Sequence, residues 1–313
     1  MKYRDFFEYK ISRFGVGTVQ FGMNYGINNK TGQTSMHDID AIFAKCLEYG
    51  INFLDTSRVY GSSEELIAKS IDRLGAKGRF FITTKLDLPE NWETMTEKDA
   101  LRSARQSLEK SLRSLKVESI PLYLLHTERY LRFSALWDFI LKNIEKGTIQ
   151  HAGVSIETGP AGAQFCLTLP KLEALQIPFN ILDARWDTSS FFNQIKVHKI
   201  LLISRSALLQ GLLLMSASEL PENLKYVVRY LEKLDKIASR EGIDRKSLCL
   251  RYVFSRQEID TTILGFDTIT QFDDNYKIYN YGALGEKILD RIKGEFEDVP
   301  IHCVNPALWK KPI

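Results

Sequence analysis

The chain has 313 residues, 44% of them hydrophobic and 26% charged, with 42 Lys and Arg set against 39 Asp and Glu for a formal net charge of +3. The basic residues are spread along helical segments and form no run, which argues against a nucleic-acid partner, and no uninterrupted apolar stretch of about 18 residues marks a membrane span. Cys46, Cys166, Cys249 and Cys303 stand far apart without a Cys-x-x-Cys pair, so neither a zinc site nor a disulfide framework is expected, and the thiols read as reduced and mostly buried.

Met1-Lys2-Tyr3-Arg4-Asp5 mixes charges where a secretory leader needs an apolar run, so the expected location is cytoplasmic. Tyr9 and Ile11 alternate with polar residues and predict a short strand or hairpin placed to plug the bottom of a barrel. Gly15 to Gly22 reads as the first glycine-rich strand, with no Gly-x-Gly-x-x-Gly opening a helix behind it, which speaks against a Rossmann domain. Ser35 with Asp38 makes a capping box for a helix carrying Ile39, Ile42, Phe43, Cys46 and Leu47, and Gly50 stops it.

Asn52 to Asp55 is the second strand; Tyr60 follows on the turn, and Ser62 or Ser63 is expected to cap the next helix. Phe80 to Thr84 runs into Lys85, with a long helix capped by Thr96 and Asp99 behind it, and Leu122 to Leu125 runs into His126. A helix from Ala135 to Lys146 follows, then strands at Ala152 to Val154, Leu175 to Ile177, Ile200 to Ser204 and Thr261 to Leu264, with a long helix from Val227 to Ala238 before the last. Short apolar strands alternating with helices are what a parallel sheet buried on both faces requires. Eight of them in about 300 residues predict a (β/α)8 TIM barrel over 1–313 as one domain, with the N-terminal hairpin and an extra C-terminal helix as additions.

In such a barrel the working groups sit at the carboxyl ends of the strands, where Asp55, Lys85, His126, Ser155, Gln176 and Arg205 fall. Alone, each has an ordinary structural use, as a helix cap, a surface lysine or a hydrogen-bonded loop histidine. Together they suit one chemistry. A phenol donates a proton to a carbonyl oxygen becoming an alkoxide, and a nearby ammonium favours the phenolate, so Lys85, itself oriented by Asp55, is expected to lower the value of Tyr60. His126 is placed to hydrogen-bond the same carbonyl oxygen.

Gly50-Ile51-Asn52-Phe53-Leu54-Asp55-Thr56-Ser57 and Tyr60-Gly61-Ser62-Ser63-Glu64, with Lys85 and His126, resemble the signatures of the aldo-keto reductases over nearly the whole chain. The resemblance implies a nicotinamide-dependent oxidoreductase reducing an aldehyde or ketone, with Asp55, Tyr60, Lys85 and His126 as catalytic residues and Tyr60 as proton donor. Gly153-Val154-Ser155 resembles the element that holds the nicotinamide amide, with Ile156 in place of an asparagine, and Gln176 matches the other amide ligand. Arg205, ahead of Ser206-Ala207-Leu208, stands where many members stack an aromatic ring, so Arg205, Ser206 and Leu208 are implied cofactor contacts.

Gly265 to Asn275 resembles the loop and helix start that grip the adenosine phosphate, which implies Gly265, Asp267, Thr268, Gln271, Asp274 and Asn275, the last at the adenine end. The cofactor is thus NADH or NADPH. Family habit favours NADPH, whereas Asp267 and Gln271, standing where a basic residue is common, favour NADH at least equally. Thr18 to Ile27 and Leu209 to Met215 resemble a bacterial branch associated with polysaccharide biosynthesis, implying a carbohydrate carbonyl. The loops after Lys85 and His126 carry Asp87, Trp92, Glu128, Arg129 and Tyr130, suited to a polyol or an acidic group, or equally to a solvated rim. The alternative class is a nucleotide-binding regulatory or scaffold barrel with little catalysis.

Overall fold

A computed structural model describes residues 1–187 and 189–309 of the chain. A hairpin, β1 Tyr3–Phe6 and β2 Tyr9–Ser12, precedes eight strands: β3 Phe14–Gly17, β4 Phe53–Asp55, β5 Phe81–Leu86, β6 Ile120–Leu125, β7 Ile149–Ser155, β8 Ala174–Pro178, β9 Leu201–Arg205 and β10 Thr261–Gly265. These eight close in the order β10-β3-β4-β5-β6-β7-β8-β9, every pair parallel. The helices are a single turn α1 Val19–Gly22, then α2 Met36–Tyr49, α3 Ser63–Arg73, α4 Glu97–Leu115, α5 Ser134–Glu145, α6 Pro160–Cys166, α7 Ser189–Val197, α8 Val228–Arg240, α9 Arg245–Ser255, α10 Ile269–Asn280, α11 Glu286–Ile292 and α12 Ile301–Val304. The expected (β/α)8 barrel, its leading hairpin and the added C-terminal helix α11 are all present.

Side chains of a strand alternate between two faces, and here the alternation separates two cores. Leu54, Ile82, Tyr123, Val154, Leu175, Leu202 and Leu264 point outward to the helices. Phe53, Phe81, Leu122, Leu124, Ala174, Leu201, Ile203 and Ile263 fill the barrel interior together with Phe6 and Ile11 of the hairpin. The hairpin closes the amino-terminal end: Phe6 and Tyr9 both meet the Phe81 ring edge-on, at 6.1 and 4.8 Å. Burying side chains such as Phe6 and Ile11 contributes about 1.5–3 kcal/mol each. Counting upward in twos from the inward residues reaches Asp55, Lys85, His126, Ser155, Gln176 and Arg205, so one parity rule delivers all six to the opposite mouth.

Two expectations about local structure are corrected. The first barrel strand stops at Gly17, and Val19–Gly22 is a helical turn. Thr18 makes the last ladder contact, its N–H and its hydroxyl both donating to the Asp55 carbonyl at 3.0 and 2.9 Å. Neither Ser62 nor Ser63 caps α3: Ser62 is the N-cap residue without a side-chain cap bond. The Ser63 hydroxyl instead lies between Thr18, at 2.7 Å, and Thr56, at 3.0 Å. The caps at Ser35, Thr96 and Gly50 are as expected, Gly50 in the left-handed region at φ 72°. All four cysteines are free and buried, and among the described residues no helix is long and apolar enough to cross a membrane.

Asp260 ties the hairpin to the barrel floor. Its Oδ2 accepts from the Leu202 N–H at 2.8 Å and its Oδ1 pairs with Arg4 at 3.2 Å, with its side chain only 13% exposed. Burial pushes its carboxyl up to about 6, above the roughly 3.9 of an unfolded aspartate. The folded chain therefore holds this proton more tightly, so the associated stability is complete below about pH 3.9 and is lost as pH rises through about 6. Urea unfolding of the wild type and Asp260→Asn, compared at pH 4.5 and 7.5, should show the wild type losing up to about 2–3 kcal/mol relative to the variant at the higher pH. Equal changes in the two proteins would remove Asp260 as the cause.

Candidate active site

At the carboxyl mouth, Lys85 and Asp55 reach across from β5 and β4. The Lys85 ammonium donates to both Asp55 oxygens and to the Thr56 carbonyl, each at 2.8 Å, so its three protons are fully used. Lys85 is 1% and Asp55 4% exposed. Burial, the largest influence, pulls the ammonium below the ordinary lysine value, with Asp55 opposing it. The network continues: Gln176 Nε2 donates to Asp55 Oδ1 at 2.7 Å, and the Ser155 hydroxyl donates to Gln176 Oε1 at 3.3 Å. Four of the expected residues thus form one continuous buried chain.

Tyr60 sits on the β4–α3 loop, its ring centroid 5.1 Å from Lys85 Nζ and 6.0 Å from the His126 ring, which meets it edge-on. Its position is set by backbone contact. A Cβ on Gly22 would fall 1.7 Å from the Tyr60 carbonyl oxygen, and one on Gly61, at φ 56°, would fall 2.2 Å from the Gly22 carbonyl oxygen. Only glycine allows the two loops this approach. The expected lowering of the phenol is not found: Tyr60 is held above its ordinary value, by burial first and then by Asp55, with Arg205 the opposing charge and Asp87 adding to the rise. The Lys85 charge is already met by both carboxylate oxygens of Asp55 and offers the phenol little net field.

His126 lies just past β6, its N–H bonded to the Leu86 carbonyl at 3.2 Å. Its Nδ1 faces Ser57 Oγ at 3.3 Å and Asp87 Oδ1 at 3.4 Å. Burial lowers the imidazole's value; Asp87 beside it raises it, and Lys85 and Arg205 add to the lowering. Tyr130 donates to Asp87 at 3.4 Å, Trp92 meets Tyr130 edge-on at 5.0 Å, and the Arg129 guanidinium lies over Trp92 at 5.1 Å. Glu128, which the sequence places on the rim, is a buried strut: it accepts the N–H groups of Glu157 and Thr158, each at 2.8 Å, and so joins the loops after β6 and β7.

The remaining expected cofactor residues lie on the loops after β9 and β10 and on the first two turns of α10. Arg205 donates to the Ile156 carbonyl at 2.9 Å and to Ser206 Oγ at 3.2 Å, and Ser206 itself is left-handed at φ 64°. Leu208 is half-buried. Thr268 caps α10 by accepting from the Gln271 N–H. Asp267 receives Asn29 Nδ2 at 3.1 Å and Gln271 Nε2 at 3.2 Å, and burial raises its carboxyl. Asp274 is exposed, with Lys246 4.0 Å away. Asn275 is 3% exposed, and its Oδ1 is buried without a hydrogen-bond partner.

Sequence reasoning missed Gln20, on the helical turn α1, and Asn29, Thr56 and Ser57, on loops at the barrel mouth. Gln20 presses on Gly265, where a Cβ would fall 2.5 Å from Gln20 Oε1, and that oxygen is also buried without a partner. A dinucleotide fits these features. The orphaned Asn275 and Gln20 oxygens await donors, and Ser155 and Gln176 present the donors and acceptors that an amide requires; at the α10 amino terminus the Ile269 N–H is taken by Asp38 and the Gln271 N–H by Thr268. Among the described residues no group of three or more His, Cys, Asp or Glu side chains is arranged to hold a metal ion.

A parallel barrel of this build places the molecule among enzymes that work at the strand ends. Residues 13–294 match the Aldo/keto reductase family, and the chain belongs to it. It is accordingly an NAD(P)H-dependent oxidoreductase of small-molecule carbonyls. It is 24% identical over 302 residues to the uncharacterized oxidoreductase YqkF of Bacillus subtilis, covering 88% of this chain and 90% of that one. It is 26% identical over 278 residues to the aldo-keto reductase YhdN of the same organism, covering 81% of each. The fold is shared with the aldo-keto reductase AKR11C1 from Bacillus halodurans, at a TM-score of 0.74, 20% identity and coverage of 94% and 95%.

Proposed function

We propose that Tyr60 is the proton donor of a carbonyl reduction, with the substrate seated between Tyr60, His126 and the Ser155–Gln176 pair. The observation that carries this is the phenol's place 5.1 Å from Lys85 and 6.0 Å from His126, beside the one continuous network that ends at Gln176 and Ser155. When bound, a reduced nicotinamide supplies the hydride for the carbonyl carbon. Ser155 and Gln176 would hold its amide, Arg205 would lie on the ring side of the site, and Asn275 and Gln20 would serve the adenosine half. As negative charge develops on the carbonyl oxygen, Tyr60 gives up its proton. The burial that raises the resting phenol is offset by the substrate oxygen's growing basicity.

The substrate class we infer is a carbohydrate carbonyl, supported by the polar loops of Asp87, Trp92, Arg129 and Tyr130 at the mouth. Oxidation of NADH and NADPH should be followed with aldehydes, ketoses and sugar nucleotides. Turnover confined to plain aliphatic aldehydes would reject the carbohydrate reading, and no turnover with any of them would reject carbonyl reduction.

We further propose that NADH binds at least as well as NADPH. The half-buried Asp267 carboxylate supports this: it would repel a 2′-phosphate and accept a bond from a free 2′-hydroxyl, as acidic residues do in other dinucleotide folds. Asp267→Arg is expected to shift preference towards NADPH by about tenfold, roughly 1.4 kcal/mol. Fluorescence titration of both proteins with both cofactors measures it, and a wild type far tighter for NADPH would reverse the assignment.

A further inference from the structure

Arg205 ends β9 and reaches sideways across the mouth. Its Nη2 donates to the carbonyl of Ile156, the residue just past β7, at 2.9 Å, and its Nη1 donates to Ser206 Oγ at 3.2 Å. Because β8 lies between β7 and β9, the side chain crosses the carboxyl end of β8, one inward step above Gln176, whose Cα partner on β9 is Ile203. The guanidinium is thus set over the Ser155–Gln176 pair, and its two bonded nitrogens fix the plane of a group that keeps its charge at any working pH. The other charges nearby are directed elsewhere. Lys85 holds both Asp55 oxygens at 2.8 Å, and Asp87 is turned to His126 and to the Tyr130 hydroxyl, each at 3.4 Å. Arg205 pairs with no carboxylate among the described residues. Its field reaches Tyr60, Lys85 and His126 and acts to lower all three values, as an uncompensated cation does.

We propose that Arg205 makes the site select its cofactor by oxidation state, its fixed positive charge holding off the cationic oxidised nicotinamide while the neutral reduced ring is accepted. This rests on the reading above in which Ser155 and Gln176 hold the nicotinamide amide, since a ring pinned by that pair comes beside the guanidinium in either state. The two states differ by one unit of charge on that ring. Like charges several ångströms apart at a partly solvated site repel enough to change affinity by about 10–100-fold. The adenosine half is the same in both and cancels from the comparison. The planar guanidinium also offers the reduced ring a flat surface to lie on, so repelling one state does not require weak binding of the other. An aromatic side chain at this position would act in the opposite sense, because a ring face attracts a cation. The functional consequence is that the oxidised cofactor left after each turnover departs readily and inhibits weakly, which favours carbonyl reduction even where oxidised cofactor is in excess.

The test is calorimetric titration of the full-length wild type, Arg205→Lys and Arg205→Gln with NADH, NAD⁺, NADPH, NADP⁺ and ADP-ribose. Each comparison is made within a pair that differs only in the state of the nicotinamide, so the adenosine phosphate does not enter. The wild type should bind the reduced member about 10–100-fold more tightly than the oxidised one. Arg205→Gln, which is neutral but can still donate to Ile156, should narrow that ratio by about tenfold or more, and Arg205→Lys, which keeps the charge, should retain most of it. ADP-ribose, which lacks the ring, should bind all three proteins alike. Equal wild-type affinity for the two states, or an Arg205→Gln protein that keeps the ratio, overturns the proposal and leaves carbonyl reduction untouched. So does an Arg205→Gln protein that loses affinity for both states and for ADP-ribose to the same extent, since the guanidinium would then serve the diphosphate. Arg205→Met carries the same expectation and takes the place of Arg205→Gln if that variant does not fold. A wild type that binds none of the four dinucleotides is a separate result, which removes the nicotinamide reading and this preference together.

Discussion

Replacing Tyr60 by Phe is expected to lower turnover of a reducible aldehyde by about 10²–10⁴-fold, the usual contribution of general acid catalysis, while leaving cofactor affinity nearly unchanged. The substitution deletes one hydroxyl and keeps the ring that packs beside Lys85 and His126. The loop should hold its shape, because its course is fixed by the backbone contact between Gly22, Tyr60 and Gly61. Steady-state rates and fluorescence titration with NADH on one preparation separate the two quantities. A variant within tenfold of wild-type turnover would assign the proton to another group.

Lys85→Met should act on stability as well as rate. It leaves the Asp55 carboxylate, 4% exposed, with only the Gln176 amide as side-chain partner, and breaking a buried pair from one side costs about 3–5 kcal/mol. The double variant Lys85→Met/Asp55→Leu removes both charges and is expected to recover much of that loss, since apolar replacement of an entire buried pair is often close to neutral. Activity should remain low in both, because neither restores the buried network that runs from Lys85 through Asp55 and Gln176 to Ser155 beside Tyr60. Urea unfolding with parallel rate measurements tests this. A double variant as unstable as the single one would mean that packing at the mouth, and not the stranded charge, is what Lys85 supplies.

The barrel was legible because its signals are local: short apolar runs, most of them ending in a polar or titratable side chain, with caps such as Ser35 and Thr96 marking the helices between them. Asp55, Lys85, His126, Ser155 and Gln176 were legible for the same reason. Asp87 continues the inward alternation one step past Lys85, and its loop was read as facing substrate or, equally, as a solvated rim. What stayed hidden depends on groups far apart in sequence. The Ser63 hydroxyl is drawn off its helix by Thr18, 45 residues earlier. Glu128 is claimed by the backbone of Glu157 and Thr158. The direction of the Tyr60 shift is set first by burial of the phenol, with Asp55 adding to the rise, which no spacing reveals. Asp267 was legible as an acid standing where a basic residue is common, but not its bond from Asn29, 238 residues away.

The meeting of Gly22 with Gly61 has a bearing on how this molecule is open to change. Main-chain contact fixes the backbone of the tyrosine between them, so this part of its placement does not depend on which side chains line the segments after β5 and β6. The segments after β5 and β6, where Asp87, Trp92, Arg129 and Tyr130 lie, are thereby released from any duty to aim the phenol. Substrate range can drift, or be redesigned, through those segments as a separate module, with the two glycines as the positions that tolerate no exchange.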